Sequence, residues 1–186
     1  MEKGKITVFS GDGRGKTAAA LGVALDAAAE GKTAVIIQFL KGKGLAESIF
    51  CKRMEPDIKI FRFEKSDVNF EDRTLDQRQD DVSCIRNSLG FARKVLATGE
   101  CDLLILDEWL LYPLKETETR DLLEIIEARY QRSSTIFCSQ FDVPGWHDKF
   151  SSPLIADAIC DRIAHDSYRI LIESTESMRK RNGVKS

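Results

Sequence analysis

The apolar residues of this chain fall into short runs separated by longer segments of helical period. Ile6–Phe9, Thr33–Phe39 (TAVIIQF), Leu103–Leu106 and Ser134–Ser139 (STIFCS) are short apolar runs, several of them rich in β-branched residues. Each is bounded by glycine or polar residues and is too short for a buried helix, so each reads as a buried strand. Tyr168–Ile172 reads as a last strand. Ile58–Phe63 alternates in part between apolar and charged residues and reads as an edge or half-exposed strand. Helices are expected over Lys16–Glu30, ended by Gly31, over 45–54, over 71–98, over Thr117–Arg132 beyond Pro113, and over Leu154–His165. In 71–98, Val82, Ile85, Leu89, Ala92 and Leu96 carry the helical spacing and Gly99 ends it. Gly90 within it costs about 1 kcal/mol relative to Ala, which makes a break there an option. The first part of 66–81 and all of 141–152, with Pro144, Gly145 and Trp146, read as loop. Buried strands alternating with helices predict an α/β fold: three layers, α/β/α, around a mainly parallel sheet.

Between the first strand and the first helix stands Ser10-Gly-Asp-Gly-Arg-Gly-Lys-Thr17. Glycines let backbone N–H groups converge on phosphate oxygens, and the helix N-terminus adds its partial positive charge. Lys16 is placed to reach the β/γ-phosphates and the Thr17 hydroxyl to sit on Mg²⁺. The usual glycine of this P-loop pattern is replaced by Ser10, so the loop is a variant. A tight glycine turn alone does not explain Lys16-Thr17. Ser10, Gly11, Asp12, Gly13, Arg14, Gly15, Lys16, Thr17 and Ala18 are therefore the expected nucleotide-binding residues.

The second motif is Leu103-Leu-Ile-Leu-Asp-Glu108, a buried strand with two carboxylates at its C-terminal end. Ligands of open α/β sheets bind at that edge. Asp107 suits a Mg²⁺-holding role and Glu108 a water-orienting or proton-accepting one. A helix cap with a first-turn acid is the plainer alternative, but downstream of a Lys-Thr glycine loop the metal role is the better reading. Gln140, at the end of the STIFCS strand, either contacts the γ-phosphate or attacking water, or satisfies a loop carbonyl. Arg162, and Arg179 in the basic stretch Ser177–Arg181, either lie on a solvated face or touch phosphate.

Composition narrows the class. With 186 residues, 42% hydrophobic and 31% charged, the chain is long enough for a full core. The net charge of −2 argues against strong DNA binding. Five cysteines without CxxC spacing and only two histidines fit reduced thiols in a cytoplasmic protein rather than a metal centre. The start Met1-Glu-Lys-Gly-Lys runs straight into the first strand, and no apolar run approaches membrane-spanning length, so neither a signal peptide nor a membrane span is expected.

Two resemblances follow from the motifs. Residues 1–108 resemble the ATP:corrinoid adenosyltransferases (the CobA/CobO/BtuR family). The residues that carry the likeness are Ser10–Gly22, Gln38-Phe-Leu-Lys-Gly42, Glu47, the acidic segment after Phe63 and Thr98–Glu108. That family moves the 5′-deoxyadenosyl group of ATP onto reduced cobalt and releases triphosphate. Residues 106–184 resemble the IstB/DnaC-type helper ATPases of the AAA+ class, through Asp107–Leu114, Glu127–Ile136, Ser139-Gln140, Gly145-Trp146, Ala156–Ile163 and Ser177–Arg179. That likeness implies a sensor position for Gln140, the arginine-finger region for Arg162 and a second sensor for Arg179. Together they imply a mosaic of two P-loop families within one domain over 1–186, joined near 103–109, with 109–186 completing the sheet beside Val8 and Leu104.

The resemblances imply ATP and Mg²⁺, with a reduced corrinoid as a further substrate and a homo-oligomer as an option. Three functions are expected: adenosyl transfer, ATP hydrolysis, or nucleotide binding with little turnover. Lys16, Glu108 and Gln140 are the catalytic candidates, and Thr17 and Asp107 the metal-holding ones.

Overall fold

The computed structural model describes residues 3–12, 14–41, 48–64, 66, 73–74, 77, 80–99 and 101–173. Among the described residues, six strands form one sheet: β1 (Ile6–Ser10), β2 (Ala34–Gln38), β3 (Ile58–Arg62), β4 (Leu103–Trp109), β5 (Ser134–Ser139) and β6 (Ser167–Leu171). Their order is β3-β2-β4-β5-β1-β6, and every pairing is parallel. The helices are α1 (Lys16–Ala29), α2 (Ile49–Lys52), α3 (Asp81–Thr98), α4 (Glu116–Arg129), α5 (Val143–Trp146) and α6 (Pro153–Asp166).

Parallel strands are buried on both faces, and the period of two in each strand divides the core. Leu103 and Ile105 of β4 face Ala20 and Ala24 of α1, with Phe9, Ile36 and Cys138. Leu104 and Leu106 face the other way. There they meet Ile85 and Leu89 of α3, Leu122 and Ile125 of α4, and Ile159 and Ile163 of α6. The alanines of α1 let that helix lie close to the sheet. The result is the expected three-layer α/β/α arrangement with a parallel sheet.

The sheet continues across the expected joint. In β5, Phe137 pairs with Val8 and Thr135 with Leu104, so a strand from the second part lies between the glycine-loop strand and the carboxylate strand. The expected half-exposed strand 58–63 is found at one edge, paired among the described residues with β2 alone, and β6 forms the other edge. Gly90 does not break α3, because no neighbour crowds it and the rest of the face is anchored by Ile85, Leu89 and Ala92. The expected loop 141–152 contains α5 and a 3-10 turn, His147–Lys149. The Asp142 side chain caps α5 by accepting from the Gly145 amide at 3.2 Å, a local signal that sequence reasoning passed over. The expected helix 45–54 is found in part, as α2, with 45–47 outside the described residues; most of 71–80, the start of the expected helix 71–98, and the basic stretch 177–181 also lie outside them.

All five cysteines are free thiols. Among the described residues, no helix is long and apolar enough to cross a membrane.

Leu122 of α4 is fully buried, whereas Leu154 of α6 is 80% exposed. Leu122→Ala is expected to lower unfolding free energy by about 2–5 kcal/mol in urea titrations. Leu154→Ala is expected to change it by no more than about 0.5 kcal/mol.

Candidate nucleotide site

The glycine loop connects β1 to α1 at the C-terminal edge of the sheet. Ser10 is buried, and its carbonyl accepts from the Ile172 amide at 2.8 Å. Gly11 has φ 110°, and a Cβ there would stand 2.5 Å from the Ile172 carbonyl oxygen. Gly11 is therefore required by the chain beyond β6 as well as by its own backbone conformation. Gly15, φ 118°, precedes the first turn of α1, and a Cβ added there would meet nothing within 4 Å. Asp12, Arg14 and Ala18 lie on the loop and first turn, and Gly13 lies outside the described residues. Lys16 is buried, with its ammonium folded onto the Gly11 carbonyl at 2.6 Å.

The period of β4 sets the second half of the site. Leu103, Ile105 and Asp107 share the face that meets α1, so Asp107 points to the start of that helix. The Thr17 hydroxyl donates to it, with Oγ1 lying 2.9 Å from Oδ1 and 3.1 Å from Oδ2. In the adjacent strand, Gln38 pairs in register with Asp107, and its Nε2 donates to Oδ2 at 3.0 Å. Asp107 is 1% exposed, so its charge needs compensation. Lys41 supplies it. The Lys41 ammonium donates to Asp107 Oδ2 at 3.0 Å and to Thr17 Oγ1 at 2.7 Å.

By simple alternation Glu108 belongs on the opposite face. The ladder with β5 shifts register between Leu106 and Trp109, and Glu108 adopts φ 57°. Such a bulge re-aims a side chain at a strand end. Here it leaves Glu108 Oε1 3.7 Å from Lys41 Nζ. Both acids thus meet one ammonium. Hydroxyl and carboxylate oxygens are the donor set of a hard cation such as Mg²⁺, which uses one or two carboxylates and completes its shell with phosphate and water. Cys138 lies beneath the loop, with Sγ 3.7 Å from the Lys16 carbonyl. Burial first, then the nearby Asp107 charge, pushes its thiol far above the usual range, so it serves as an inert apolar contact.

The loop that presents Lys41 is braced by the end of β3 and the residues just after it. Glu64 Oε1 accepts from the Leu40 amide at 3.0 Å, and Arg62 donates to the Lys41 carbonyl at 3.3 Å. Leu40 itself has φ 45°, a conformation unusual for a branched residue. Glu64 is in turn paired at 2.9 Å with Arg73, which also holds Asp81 at the start of α3. Burial pushes the Glu64 carboxyl up, against the lowering pull of Arg73.

The structure thus brings together Lys16, Thr17, Asp107 and Glu108. Gln140 follows β5 directly, so it leaves the sheet between the glycine loop and the carboxylate strand. Arg162 is kept apart from them. It pairs with Glu127 of α4 at 2.9 Å, in the last turns of α6 before β6 starts beside Ile6, toward the opposite edge of the sheet. Arg179 lies outside the described residues. Sequence reasoning gave Gln38 and Lys41 no individual role, although the spacing Gln38-Phe-Leu-Lys-Gly42 was the signal that marked them.

The family model described as ATP:corrinoid adenosyltransferase BtuR/CobO/CobP matches residues 2–139. The corrinoid adenosyltransferase of Escherichia coli K12 is 30% identical over 131 residues, covering 70% of this chain and 63% of that protein. An insertion sequence ATP-binding protein of Sinorhizobium fredii (y4pL) is 48% identical over 96 residues, covering 52% of this chain and 39% of that protein. This chain therefore spans less than two thirds of the length of either relative. Both expected resemblances are present, and the 96-residue stretch is longer than the part of the chain outside 2–139, so the two overlap. In backbone, AMPPCP-bound DnaA from Aquifex aeolicus has a TM-score of 0.51 at 16% identity, covering 95% of this chain and 42% of that one. The fold is the three-layer P-loop architecture.

Gly11→Ala is expected to be destabilising by about 1–3 kcal/mol in urea unfolding, since strain and collision with the Ile172 carbonyl act together. Gly15→Ala, which carries strain alone, is expected to cost less.

Proposed function

Because this chain belongs to the ATP:corrinoid adenosyltransferase family, we propose that it binds Mg²⁺–ATP at the glycine loop and transfers the 5′-deoxyadenosyl group to a reduced corrinoid. The observation that carries this reading is the network of Gln38, Lys41, Thr17 and Asp107. It wires the Gln-Phe-Leu-Lys motif of the family into the two residues that a metal–nucleotide complex needs. In the transfer, a cobalt–carbon bond forms as the C5′–oxygen bond of ATP breaks, and the triphosphate leaves with the bonding electron pair. The glycine-loop amides and Lys16 are placed to bind that triphosphate, and Thr17 and Asp107 would hold its Mg²⁺. The ion held there would supply charge stabilisation to the leaving triphosphate. Rate then depends on holding C5′ in line with the cobalt, because positioning accounts for much of the barrier reduction in such a displacement.

A second reading is supported by Glu108 and by the insertion sequence relative. Glu108 is re-aimed to 3.7 Å from the Lys41 ammonium, which also meets Thr17 and Asp107, and is suited to orient or deprotonate a water. Gln140 leaves the sheet at the same edge. In that reading the chain is a mosaic whose second part contributes a helper-type ATP hydrolysis site, with Arg162 and Arg179 acting between subunits of a homo-oligomer. A nucleotide-binding scaffold with little turnover is the remaining outcome.

Product analysis separates them. The protein is incubated with Mg²⁺–ATP, with and without chemically reduced cobalamin. Triphosphate together with an adenosylated corrinoid is the expected result, with Glu108→Gln retaining the transfer. Thr17→Ala is expected to lower kcat/KM for ATP about 100-fold. ADP and phosphate, indifferent to corrinoid and lost in Glu108→Gln, would instead establish hydrolysis. Bound nucleotide without either product would establish the scaffold.

A further inference from the structure

Resting on the Mg²⁺–ATP reading, we propose that Lys41 is a tethered counter-cation that competes with the divalent ion for Thr17 and Asp107, so that metal is accepted only together with nucleotide phosphate. The argument starts from donors and acceptors. An ammonium only donates and an ionised carboxylate only accepts. The Thr17 hydroxyl proton is therefore directed to Asp107, and the Lys41 ammonium uses a lone pair of Thr17 Oγ1 at 2.7 Å. The same ammonium uses a lone pair of Asp107 Oδ2 at 3.0 Å. These are the oxygens assigned to Mg²⁺. A divalent cation on them meets a positive charge that is already there, within a site whose acid is 1% exposed and poorly screened.

Lys41 is also held for this position. Its backbone is fixed on both sides, by Glu64 just after β3 at the Leu40 amide and by Arg62 at the end of β3 at the Lys41 carbonyl. Its stem is unbranched and its side chain is 24% exposed, so the ammonium has room to swing while the loop stays in place. Glu108, 3.7 Å from the ammonium, keeps it in the same neighbourhood. Among the described residues, no group of three His, Cys, Asp or Glu side chains is arranged as a metal cage. Two protein oxygens are a weak site for Mg²⁺, which needs near-octahedral oxygen ligation. Metal alone must displace Lys41 and receives little in return. Metal arriving with a triphosphate brings its own ligands and offers the displaced ammonium phosphate oxygens. Metal and nucleotide affinities are thereby coupled, and the coupling is reciprocal.

The test uses Mn²⁺ as the probe and the full chain, with free Mn²⁺ read by electron paramagnetic resonance and nucleotide binding by Trp109 and Trp146 fluorescence. Wild type is expected to bind Mn²⁺ weakly without nucleotide and well with ATP. Lys41→Met is expected to bind Mn²⁺ alone about tenfold more tightly and Mn²⁺–ATP about tenfold more weakly. Lys41→Gln, with a shorter neutral side chain, is expected to shift both affinities in the same directions, which guards against a folding defect particular to one variant. Wild type binding Mn²⁺–ATP while both variants keep the wild-type affinity for Mn²⁺ alone would overturn the Lys41 assignment and leave the nucleotide reading standing. Wild type that binds no Mn²⁺–ATP would overturn both.

Discussion

The buried negative charge of Asp107 is the constraint around which the rest of the structure is arranged. A carboxylate at 1% exposure is costly unless its oxygens are hydrogen-bonded and its charge is matched. Three elements meet that requirement. Thr17 comes from the first turn of α1, Gln38 from the end of β2, and Lys41 from the loop after β2. Each is placed by a different piece of the chain, so the acid ties the glycine loop to the middle of the sheet.

A second set of ionic contacts supports the first from behind. Glu64, Arg73 and Asp81 are all buried and link the chain after β3 to the start of α3. Such a cluster is weak evidence for stability, because desolvation offsets most of the attraction. Its structural effect is more specific. Glu64 directs its other oxygen to the Leu40 amide, which fixes a left-handed residue immediately before Lys41. Beneath the acids, Trp109 packs between Phe39, Phe137 and Trp146, so the bulge at Glu108 stands on a rigid aromatic floor.

The two parts of the chain depend on each other at the glycine loop. β5 separates β1 from β4 and so sets the spacing between Lys16 and Asp107. The chain beyond β6 lies against Ser10 and Gly11. Whatever its history, the second part contributes to the shape of the phosphate loop, which makes Gly11 a residue shared between site geometry and sheet closure.

The sequence by itself determined the local features. Short apolar runs between helical segments specified the parallel sheet, and the Lys-Thr glycine loop and the Asp-Glu strand end marked the site, because their signals lie within a few residues of chain. Strand order decided the remainder. Only with β2 beside β4 does Gln38 meet Asp107, and only then does Lys41 reach both Thr17 and Asp107. A family-like spacing had marked Gln38 and Lys41, but it could not say what they touch. Alternation alone would have sent Glu108 to the other face, and a register shift with β5 corrected that. Arg162 showed the converse. Its sequence context left a solvated face and a phosphate contact both open, and the direction of α6 places it, within this chain, at the opposite end of the strands, where Glu127 holds it. Contacts between residues distant in sequence depend on which strands are neighbours and on how each strand ends, and those are properties of the folded sheet.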